Sequence, residues 1–483
     1  MSALTTPSAA YTLTLRAELD ISPGAFGRLA TVIGDAGTTL GDIDVVRRNR
    51  GTVVRDVQVY CRDEAHGDEL VRTVRELPGV VLRGVVDRTF ALHNGGKIEV
   101  TPRMPLKTRE ELSIAYTPGV GRISSAIAEH PERVWDLTIK RNSVAVLTDG
   151  SAVLGLGDIG PRAALPVMEG KAVLFKQFAG IDAYPICLDT QDTDRIVEIG
   201  AAIAPGFGGI NLEDIAAPRC FEIERRLQDA VDIPVFHDDQ HGTATVVLAA
   251  LINAATVVGR PLESLGTTVL GVGAAGTAII RVLLHAGVRD IVAVDRGGIL
   301  NRSDPGLDEE RRWVAEHTNP DGLTGGIEDA LRGADVFVGV SGPRLVQPDW
   351  VRAMSRDAIV FAMANPVPEI MREDIPGNVR VIGTGRSDYP NQINNTLAFP
   401  GLFRGLLDSR ARRVHPDMRL AAAHALASIV AEDGVLEDYV VPSVFDPRIV
   451  PAVAQAVAEV AYTNGIGAAS PAIADPAPLQ PLP

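Results

Sequence analysis

One stretch, "TTVLGVGAAGTAIIRVLLHAG" from Thr267, constrains the fold more than any other part of the chain. A short apolar strand leads into a glycine-rich turn, and an apolar helix follows directly. Gly271, Gly273 and Gly276 form the pattern G-x-G-x-x-G, and Asp295 ends the next apolar run, 19 residues after Gly276. Glycines at this spacing let the backbone approach a pyrophosphate at a helix N-terminus, and the acid meets a ribose. The pattern predicts a Rossmann-type, doubly wound α/β domain that binds a dinucleotide.

The expected cofactor contacts come from this turn and the strand after it: Gly271, Gly273, Ala274, Ala275, Gly276 and Asp295. Asp295 favours NAD, because a carboxylate accepts hydrogen bonds from both ribose hydroxyls. Arg296 follows it directly and could instead meet a 2′-phosphate. NADP therefore stays open as the nicotinamide cofactor.

The rest of the chain divides by its pattern. Between Tyr11 and Phe90, strand-like and helix-like stretches follow in the order β-α-β-β-α-β, which predicts an antiparallel sheet with both helices on one face. Apolar strands then alternate with helices in two α/β series, which predicts parallel sheets covered on both faces. The predicted organisation is an N-terminal α+β domain (1–92), a linker (93–108), a first α/β domain (109–255), a dinucleotide domain with C-terminal helices (256–465) and an Ala/Pro-rich disordered tail (466–483).

Composition excludes several classes of function. The formal net charge is −15, which argues against nucleic acid or an anionic membrane surface as the main partner. The three cysteines, Cys61, Cys187 and Cys220, are far apart and form no Cys-x-x-Cys pair, as expected for a protein of the reducing cytoplasm. We see neither a signal peptide nor an uninterrupted apolar span, so no membrane segment is expected.

The polar stretch "VFHDDQHGTATVVLAALINAA" raises the central question about chemistry. An apolar strand ends near Phe236, and a helical pattern begins near Thr243, with two carboxylates and two histidines between them. Two histidines four residues apart suggest zinc, but that requires one helix face, and we expect the segment to precede the helix. An acid/base site and a plain polar loop are the other interpretations.

Three further stretches carry candidate residues. "SIAYTPGVG" places Tyr116 before a Pro-Gly turn, and "EGKAVLFKQFAG" places Lys171 between a glycine and a strand-like run. "GINLEDIAAPRCFEIERRL" places Glu213 and Asp214 side by side ahead of an amphipathic helix. Such an acidic pair is often only a helix-capping feature. Each residue alone therefore has a structural explanation as well as a functional one.

Taken together, the motifs are much more specific. "AYTPGV", "TDGSAVLGLGDIG", "EGKAVLFKQFAG", "INLEDI", "HDDQHGTA" and "TGRSDYPNQINNTLAFPG" stand in the order found in bacterial malic enzymes. The chain closely resembles that family from about residue 104 to about residue 465. The N-terminal domain, with "ISPGAFGRLATVIGDAG", resembles an ACT domain, a small regulatory module. The resemblance implies a malic-enzyme substrate and metal domain over 109–255, followed by the NAD(P)-binding domain.

The resemblance also implies roles for residues. Glu213, Asp214 and Asp239 correspond to ligands of a divalent metal. Lys171 corresponds to the catalytic lysine, usually given the role of general base, with Asp238 as a supporting acid and Tyr116 as the general acid. Two asparagines correspond to residues that hold substrate and nicotinamide: Asn365 and Asn395. Longer eukaryotic relatives carry an arginine where this chain has Ala152, which leaves open how the substrate carboxylates are held.

These roles agree with elementary chemistry. Three carboxylates form a hard-oxygen site that suits Mg²⁺ or Mn²⁺ better than Zn²⁺. Lys171 can act as a base at neutral pH only if its pKa lies well below the usual value of about 10.4. The expected reaction is oxidative decarboxylation of L-malate to pyruvate and CO₂ with reduction of NAD(P)⁺.

Two other functions stay open. A malolactic enzyme would have the same parts but release lactate, and a catalytically silent protein would bind only a small-metabolite effector at the ACT-like domain. The intact set of candidate catalytic residues argues against the second. We also expect a homo-oligomer, because pairing of such domains hides exposed sheet edges.

Overall fold

The computed structural model describes residues 7–468 of the chain. The chain forms two compact units, Met1–Val100 and Thr101–Pro483. Most of the predicted disordered tail, residues 469–483, lies outside the described residues. The predicted boundaries inside the second unit stay predictions.

The first unit has the predicted β-α-β-β-α-β order, with a short helix added at its end. Its elements are β1 (Thr12–Asp20), α1 (Ala25–Asp35), β2 (Thr39–Arg48), β3 (Thr52–Tyr60), α2 (Glu64–Arg75), β4 (Val80–Asp87) and α3 (Arg88–His93). The sheet order is β2-β3-β1-β4, and every pairing is antiparallel. Alternation along β1 buries Leu15, Ala17 and Leu19 against α1 and α2. The opposite face of β1 carries Arg16, which is exposed.

The second unit begins with helices and a four-stranded sheet. The elements are α4 (Arg109–Ala115), α5 (Gly119–Glu129), α6 (Val134–Leu137), β5 (Ser143–Thr148), α7 (Gly160–Ala179), β6 (Asp182–Cys187), α8 (Thr193–Ile203), β7 (Gly209–Leu212), α9 (Arg219–Ala230) and β8 (Val235–His237). The strand order is β6-β5-β7-β8, and all neighbours are parallel. Each strand is followed by a helix, as expected for a parallel sheet with covered faces.

One strand prediction in this region is wrong. The run "AVLFKQF" lies inside α7, so Lys171 is in a helix rather than before a strand. The buried positions Ala164, Met168, Lys171 and Phe175 recur every three or four residues, which is the period of a helix. This seven-residue run, with five apolar residues, fits a strand as well as a helix, whereas the spacing of the buried residues that begin upstream indicates a helix.

The dinucleotide region follows without a break. Its elements are α10 (Asp238–Val258), β9 (Thr267–Leu270), α11 (Ala274–His285), β10 (Ile291–Asp295), β11 (Gly298–Ile299), α12 (Glu309–His317), α13 (Ile327–Leu331), β12 (Val336–Gly339), α14 (Pro348–Arg352), β13 (Ala358–Ala362), β14 (Val379–Thr384), α15 (Phe399–Asp408), α16 (Pro416–Asp433) and α17 (Ile449–Thr463). The sheet order is β11-β10-β9-β12-β13-β14, parallel except for β11. Strand order reverses at β9, so the predicted doubly wound sheet is confirmed, with its switch point beside the glycine-rich turn.

Helix α10 starts earlier than predicted. It begins at Asp238 rather than near Thr243, with His237 as the N-cap residue. Carboxylates in a first turn are favoured by the partial positive charge of a helix N-terminus, so the polar segment is the start of the helix. The helix is apolar and 21 residues long, enough to cross a membrane by length alone. Two-thirds of its apolar stretch is buried inside the unit, where it packs against α11 and α16, as in a core helix.

Candidate active site

The candidate residues meet at one edge of the first parallel sheet. Strands β7 and β8 pair in parallel, with Leu212 opposite His237. The residues that follow, Glu213 with Asp214 and Asp238 with Asp239, therefore leave neighbouring strands at the same end. Polar groups at the carboxyl ends of parallel strands are the usual place for a ligand site in such folds. The acidic pair at Glu213 follows a strand, so the helix-capping interpretation does not apply to it.

Lys171 reaches this edge from α7. Its Nζ lies 2.5 Å from Asp238 Oδ2 and 2.8 Å from Glu213 Oε1. The ammonium group also lies 4.1 Å from the centroid of the Phe399 ring. Lys171, Glu213 and Asp238 are all buried. A charged lysine in this environment is stabilised by two carboxylates and by the face of an aromatic ring.

Three carboxylates form a compact oxygen cluster beside the lysine. Ligand oxygens of Glu213, Asp214 and Asp239 lie within 4.8 Å of one another. Asn211 Nδ2 donates to Glu213 Oε2 at 2.8 Å, and the Asp214 N–H donates to Asp239 Oδ2 at 2.9 Å. The backbone of Asp214 has φ of +54°, an uncommon conformation for a residue other than glycine. These contacts fix the carboxylates close together despite their like charge.

The electrostatics of the cluster fit a divalent cation. Burial, together with neighbouring carboxylates, raises the pKa of Glu213 to about 7, of Asp214 to about 9 and of Asp239 to about 6. Asp214 Oδ2 is buried and has no hydrogen-bond partner among the described residues. A cation would neutralise the mutual repulsion and satisfy this oxygen. An all-oxygen donor set favours Mg²⁺ or Mn²⁺.

The charge state of Lys171 differs from the expectation. Burial alone would lower the pKa of its ammonium group, but Asp238 and Glu213 outweigh this effect, so the pKa is raised. With both carboxylates facing it, Lys171 is therefore a cation rather than a ready base. A lysine base at this position requires that Glu213 be engaged elsewhere, as it would be on a metal ion.

The two histidines of the opening stretch are not among the grouped ligand residues, although His237 Nδ1 lies 3.8 Å from Asp239 Oδ2. The His241 ring contacts Glu224 through Nε2 at 2.9 Å and accepts from Arg419 through Nδ1 at 2.6 Å. His237 is fully buried, and burial lowers the pKa of its ring. Within residues 7–468, the group of three possible metal ligands contains carboxylates alone. The zinc interpretation required a helix in this segment, and α10 does begin at Asp238, which we did not predict. The grouped ligands are nevertheless carboxylates, so zinc is not favoured.

A glycine is required where α10 passes the site. A Cβ added at Gly242 would lie 2.0 Å from Asp238 Oδ1 and 3.1 Å from Asn395 Cβ. Asn395 thus lies beside Asp238, and its role in holding substrate stays a prediction. The N–H of Ala152 donates to the Asp214 carbonyl at 3.0 Å, so the loop after β5 is hydrogen-bonded to the backbone of the carboxylate cluster.

Tyr116 differs from the other candidates. It is the C-cap residue of α4, and 67% of it is exposed. Within residues 7–468 its hydroxyl makes no hydrogen bond, and its backbone contacts Leu112 and Val120. The structure therefore does not bring its hydroxyl to Lys171. The predicted acid role stays a prediction.

The glycine-rich turn has the geometry of a phosphate-binding loop. Gly271 has φ of +101°, and a Cβ there would lie 2.7 Å from the Val340 carbonyl oxygen. A Cβ on Gly276 would lie 1.7 Å from the Gly271 carbonyl oxygen, so only glycine fits where α11 packs on the turn. Gly273 has open space where its Cβ would be, which allows close approach of a ligand. Ala274 and Ala275 open the first turn of α11, whose N–H groups are free to meet phosphate.

Asp295 ends β10, as predicted, and is paired with an arginine that sequence reasoning missed. Arg311 Nε, on α12, donates to Asp295 Oδ2 at 2.6 Å, and the same guanidinium also contacts Asp308. Arg296 makes no ion pair within the described residues. The carboxylate that should meet the ribose is thus partly neutralised, which weakens the argument for NAD from Asp295 alone.

Asn365 lies in the turn after β13 and is exposed. Its carbonyl approaches Gly155, where an added Cβ would lie 2.9 Å away, so the loops after β5 and β13 touch. The buried Glu369, which we did not predict, accepts from the N–H of Ser341 at 2.8 Å and of Ala364 at 3.0 Å. It joins the turns after β12 and β13, beside Asn365.

Sequence reasoning also missed two residues that position the lysine and the cluster. Phe399 lies in "TLAFPG" and Asn211 in "INLEDI", so both belong to motifs already singled out. Aromatic and amide side chains gave no chemical signal of their own, since both types are common in cores. Their contacts with Lys171 and Glu213 depend on the fold.

The fold and site define an α/β enzyme that binds a dinucleotide beside a buried lysine and an oxygen-ligand cluster. Residues 95–228 match the family model for the malic enzyme N-terminal domain, and residues 240–462 match that for the malic enzyme NAD-binding domain. Together these matches cover most of the second unit. The chain belongs to the malic enzyme family.

Close relatives extend this result. The chain is 54% identical over 458 residues to the NAD-dependent malic enzyme of Geobacillus stearothermophilus, covering 95% of this chain and 96% of the relative. It is 52% identical to the bifunctional malic/malolactic enzyme of Bacillus subtilis, covering 78% of this chain and 94% of that protein. The crystal structure of malic enzyme from Pyrococcus horikoshii superposes with a TM-score of 0.75 at 50% identity, covering 77% of this chain and 88% of that one. The first match reaches well into the N-terminal unit.

Proposed function

We propose that the chain catalyses oxidative decarboxylation of L-malate to pyruvate and CO₂, with reduction of NAD⁺ or NADP⁺ and a requirement for Mg²⁺ or Mn²⁺. The observation that carries the proposal is the cluster of Glu213, Asp214 and Asp239 in contact with a buried lysine. Family membership supports the reaction, and the open glycine-rich turn supports the cofactor.

The metal ion would be held by the three carboxylates of the cluster. When bound, such an ion supplies a Lewis acid that polarises the 2-hydroxyl of malate and stabilises negative charge on oxygen as CO₂ leaves. Asp214 Oδ2, buried without a partner, supports its place among the ligands. Asn211 fixes the orientation of Glu213 through its hydrogen bond.

Lys171 would take the proton of the malate hydroxyl. The base form becomes accessible once Glu213 is engaged with the cation, because this removes one of the two charges that stabilise the ammonium group. Asp238, at 2.5 Å from Nζ, then keeps the lysine oriented and accepts a hydrogen bond from it. Tyr116 would donate a proton to C3 after CO₂ leaves, and Asn365 and Asn395 would hold substrate and nicotinamide.

The nicotinamide cofactor would bind at Gly271, Gly273, Ala274, Ala275, Gly276 and Asp295, and its ring accepts the hydride from C2. We favour NAD, since an acid at the end of β10 repels a 2′-phosphate. The NAD-dependent relative at 54% identity supports this preference. Arg296 and Arg311 are the two cations that would favour NADP instead.

A steady-state assay with malate, Mn²⁺ and each nicotinamide tests the proposal. We expect equal amounts of pyruvate and reduced nicotinamide, with activity abolished by a chelator and restored by Mn²⁺. Absence of reduced cofactor under saturating Mn²⁺ would contradict it. Competing kcat/KM values for NAD⁺ and NADP⁺ decide the cofactor.

A malolactic reaction is the second candidate function. The observation that favours it is the similarity to the bifunctional malic/malolactic enzyme of Bacillus subtilis. Lactate formed from malate without net release of NADH would identify this activity. Pyruvate as the sole product would exclude it.

We also propose that the N-terminal unit regulates the enzyme through a small metabolite, as an ACT domain would. Its open sheet face carries a cavity of about 540 Å³ whose lining includes Arg16, Asp56, Arg83 and Arg88. Arg16 pairs with Asp56 and Arg83 with Glu18, whereas Arg88 forms no ion pair within the described residues and would meet an anionic effector. A chain that begins at Gly96 should then stay folded and active but lose its response to a panel of amino acids and acyl-CoA-type metabolites. Loss of activity in a folded truncated chain would mean that the unit is structural.

A homo-oligomer in the cytoplasm completes the proposal. Apolar side chains on α4 and α5 are exposed, among them Ile114 at 66% and Leu112 at 45%, and contact with a second copy would cover them. Light scattering on a size-exclusion column should give a mass of at least two chains. A monomer at micromolar concentration would contradict this part.

A further inference from the structure

A cavity of about 580 Å³ lies between the ends of α11, α12 and α16, away from the candidate active site. Six residues that line it carry the argument: Arg281, His285, Arg289, Trp313, His317 and Arg419. No aspartate or glutamate is among its lining residues in the part of the chain that the structure describes. Two carboxylates outside this lining pair with its residues: Glu310 with Arg281 at 2.7 Å, and Asp417 with His285 at 2.8 Å. Arg289 and Arg419 remain as an excess of positive charge in a chain whose net charge is −15.

The cavity is separate from the dinucleotide site. Helix α11 begins at the glycine-rich turn and ends at His285, which lines the cavity. Twelve helical residues span about 17 Å, so the two sites lie at opposite ends of this helix. A ligand in the cavity therefore does not contact the turn that would bind the cofactor phosphates.

One wall of the cavity is held in place by its neighbours. The Arg281 guanidinium lies 3.8 Å from the centroid of the Trp313 ring and donates to Glu310 Oε2 at 2.7 Å. The His317 ring stacks on Trp313 at 4.2 Å. Because these contacts fix Arg281 and His317, little conformational entropy is lost when a ligand binds to this wall.

Two cations of the cavity have no carboxylate partner within residues 7–468. Arg289 is exposed and makes no ion pair or hydrogen bond through its side chain. Arg419 is part-buried and donates to the His241 ring rather than to an acid. Burial is the main cause that lowers the pKa of Arg419; the charge of Glu224 opposes this effect, and the charge of Arg281 adds to it.

Arg419 also connects the cavity to the candidate active site. His241 contacts the buried Glu224, and Glu224 accepts from the N–H of His237 at 3.1 Å, directly before Asp238. These contacts fix Arg419 at the cavity wall. The Arg419 guanidinium therefore stays at the cavity wall instead of adopting another rotamer.

We propose that this cavity binds a small anion that carries at least two phosphate groups. Arg289 and Arg419, which form no ion pair with an acid within the described residues, and Arg281, which is shared with Glu310, supply the bidentate donors that phosphate oxygens prefer. The volume is larger than one inorganic phosphate requires and admits a diphosphate. This site is independent of the proposed reaction.

Inorganic pyrophosphate tests the proposal. The full chain, free of metal and saturated with NAD⁺ so that the dinucleotide turn is filled, is titrated by calorimetry. We expect saturable binding that Arg289→Gln weakens about fivefold, the effect of losing about 1 kcal/mol of charge interaction. Arg356→Gln, which changes an arginine that is 93% exposed outside the cavity, should bind as the wild type does.

A fluorescence titration locates the bound anion. Of the three tryptophans in the chain, Trp313 alone lines the cavity. Pyrophosphate should therefore change the emission of the wild type, and Trp313→Phe should lose this change while calorimetric binding continues. Absence of saturable binding, equal affinity in Arg289→Gln and wild type, or a full emission change in Trp313→Phe would each overturn the proposal.

Discussion

The Lys171 cluster and the Tyr116 segment carry residues of one proposed reaction, yet the structure treats them differently. Lys171, Glu213 and Asp238 are buried and joined by contacts of 2.5 and 2.8 Å. Tyr116 is 67% exposed at the end of a short helix, and its hydroxyl has no hydrogen-bond partner within the described residues. Packing of the core holds the Lys171 cluster in place. The Tyr116 side chain has no such packing around it, so its position during the reaction must depend on other contacts, such as those with substrate.

The difference follows from where each motif lies in the fold. Glu213 and Asp238 follow neighbouring strands of a parallel sheet, and Lys171 comes from the buried face of α7. Such positions are fixed by strand pairing and by close packing. The helices around Tyr116, α4 and α5, have no buried residues. Comparing the turnover of Lys171→Ala with that of Tyr116→Phe shows whether a residue's burial predicts its role in catalysis.

The largest expected effect is that of Lys171→Ala. Removal of the proposed base should lower kcat by about 10³-fold or more, for both malate oxidation and oxaloacetate reduction. It also leaves Asp238 and Glu213 without their cation, so stability is measured in parallel by thermal unfolding. The control is Lys176→Ala, on the same helix, whose side chain is 59% exposed. A folded Lys171→Ala protein with near wild-type turnover would remove Lys171 from the mechanism.

Tyr116→Phe should have a smaller and more selective effect. If the hydroxyl protonates C3, overall turnover falls by about 10²-fold, while oxaloacetate reduction continues. Because Tyr116 is exposed and unpartnered, the melting temperature should stay unchanged. Equal loss of both partial reactions would mean that the residue positions substrate rather than donating a proton.

Much of the fold could be predicted from the sequence, because its strands are short apolar runs bounded by turns. All strands of the dinucleotide sheet were predicted except β11, which has two residues and no pattern. Helix α7 was missed because the largely apolar run "AVLFKQF" fits a strand as well as a helix. The start of α10 was missed because its first turn is polar and lacks the apolar period.

For the candidate site, the sequence could indicate which residues take part but not which of them contact one another. Glu213 and Asp214 stood out as an acidic pair ahead of a helix, and Asp239 as a carboxylate after a strand. The structure brings the three together and adds the strand β7 before Glu213, which was not predicted. The contact of Lys171 with Asp238 joins residues 67 positions apart, so no local pattern could reveal it. Glu369, Asn211 and Arg311 were missed for the same reason. The raised pKa of Lys171 depends on these non-local contacts as well.

The melting temperature with and without Mn²⁺ compares the Lys171 cluster, beside the metal ligands, with the Tyr116 segment. In metal-free protein, Asp239→Asn removes one of three repelling carboxylates, so the melting temperature should be equal to or a few degrees above that of the wild type. Mn²⁺ should then raise the melting temperature of the wild type but not of Asp239→Asn. Tyr116→Phe should keep the full shift. A Mn²⁺ shift in Asp239→Asn as large as in the wild type would contradict the metal assignment.

The smallest expected effect concerns cofactor choice, away from both regions. Asp295→Ser removes the carboxylate that should repel a 2′-phosphate and leaves Arg311 without this partner. The ratio of kcat/KM for NADP⁺ over NAD⁺ should rise about tenfold, which corresponds to about 1.4 kcal/mol. Melting temperature and Mn²⁺ dependence serve as controls. An unchanged ratio would mean that other residues select the cofactor.

The central claim is that Glu213, Asp214 and Asp239 hold the divalent cation that the reaction needs. Direct titration with Mn²⁺, followed by the loss of the free-ion electron paramagnetic resonance signal, tests it. We predict one tight site per chain, weakened about 100-fold in Asp239→Asn, and unchanged in Asp229→Asn, which removes an exposed carboxylate of α9. Equal Mn²⁺ affinity in Asp239→Asn and the wild type would contradict the claim.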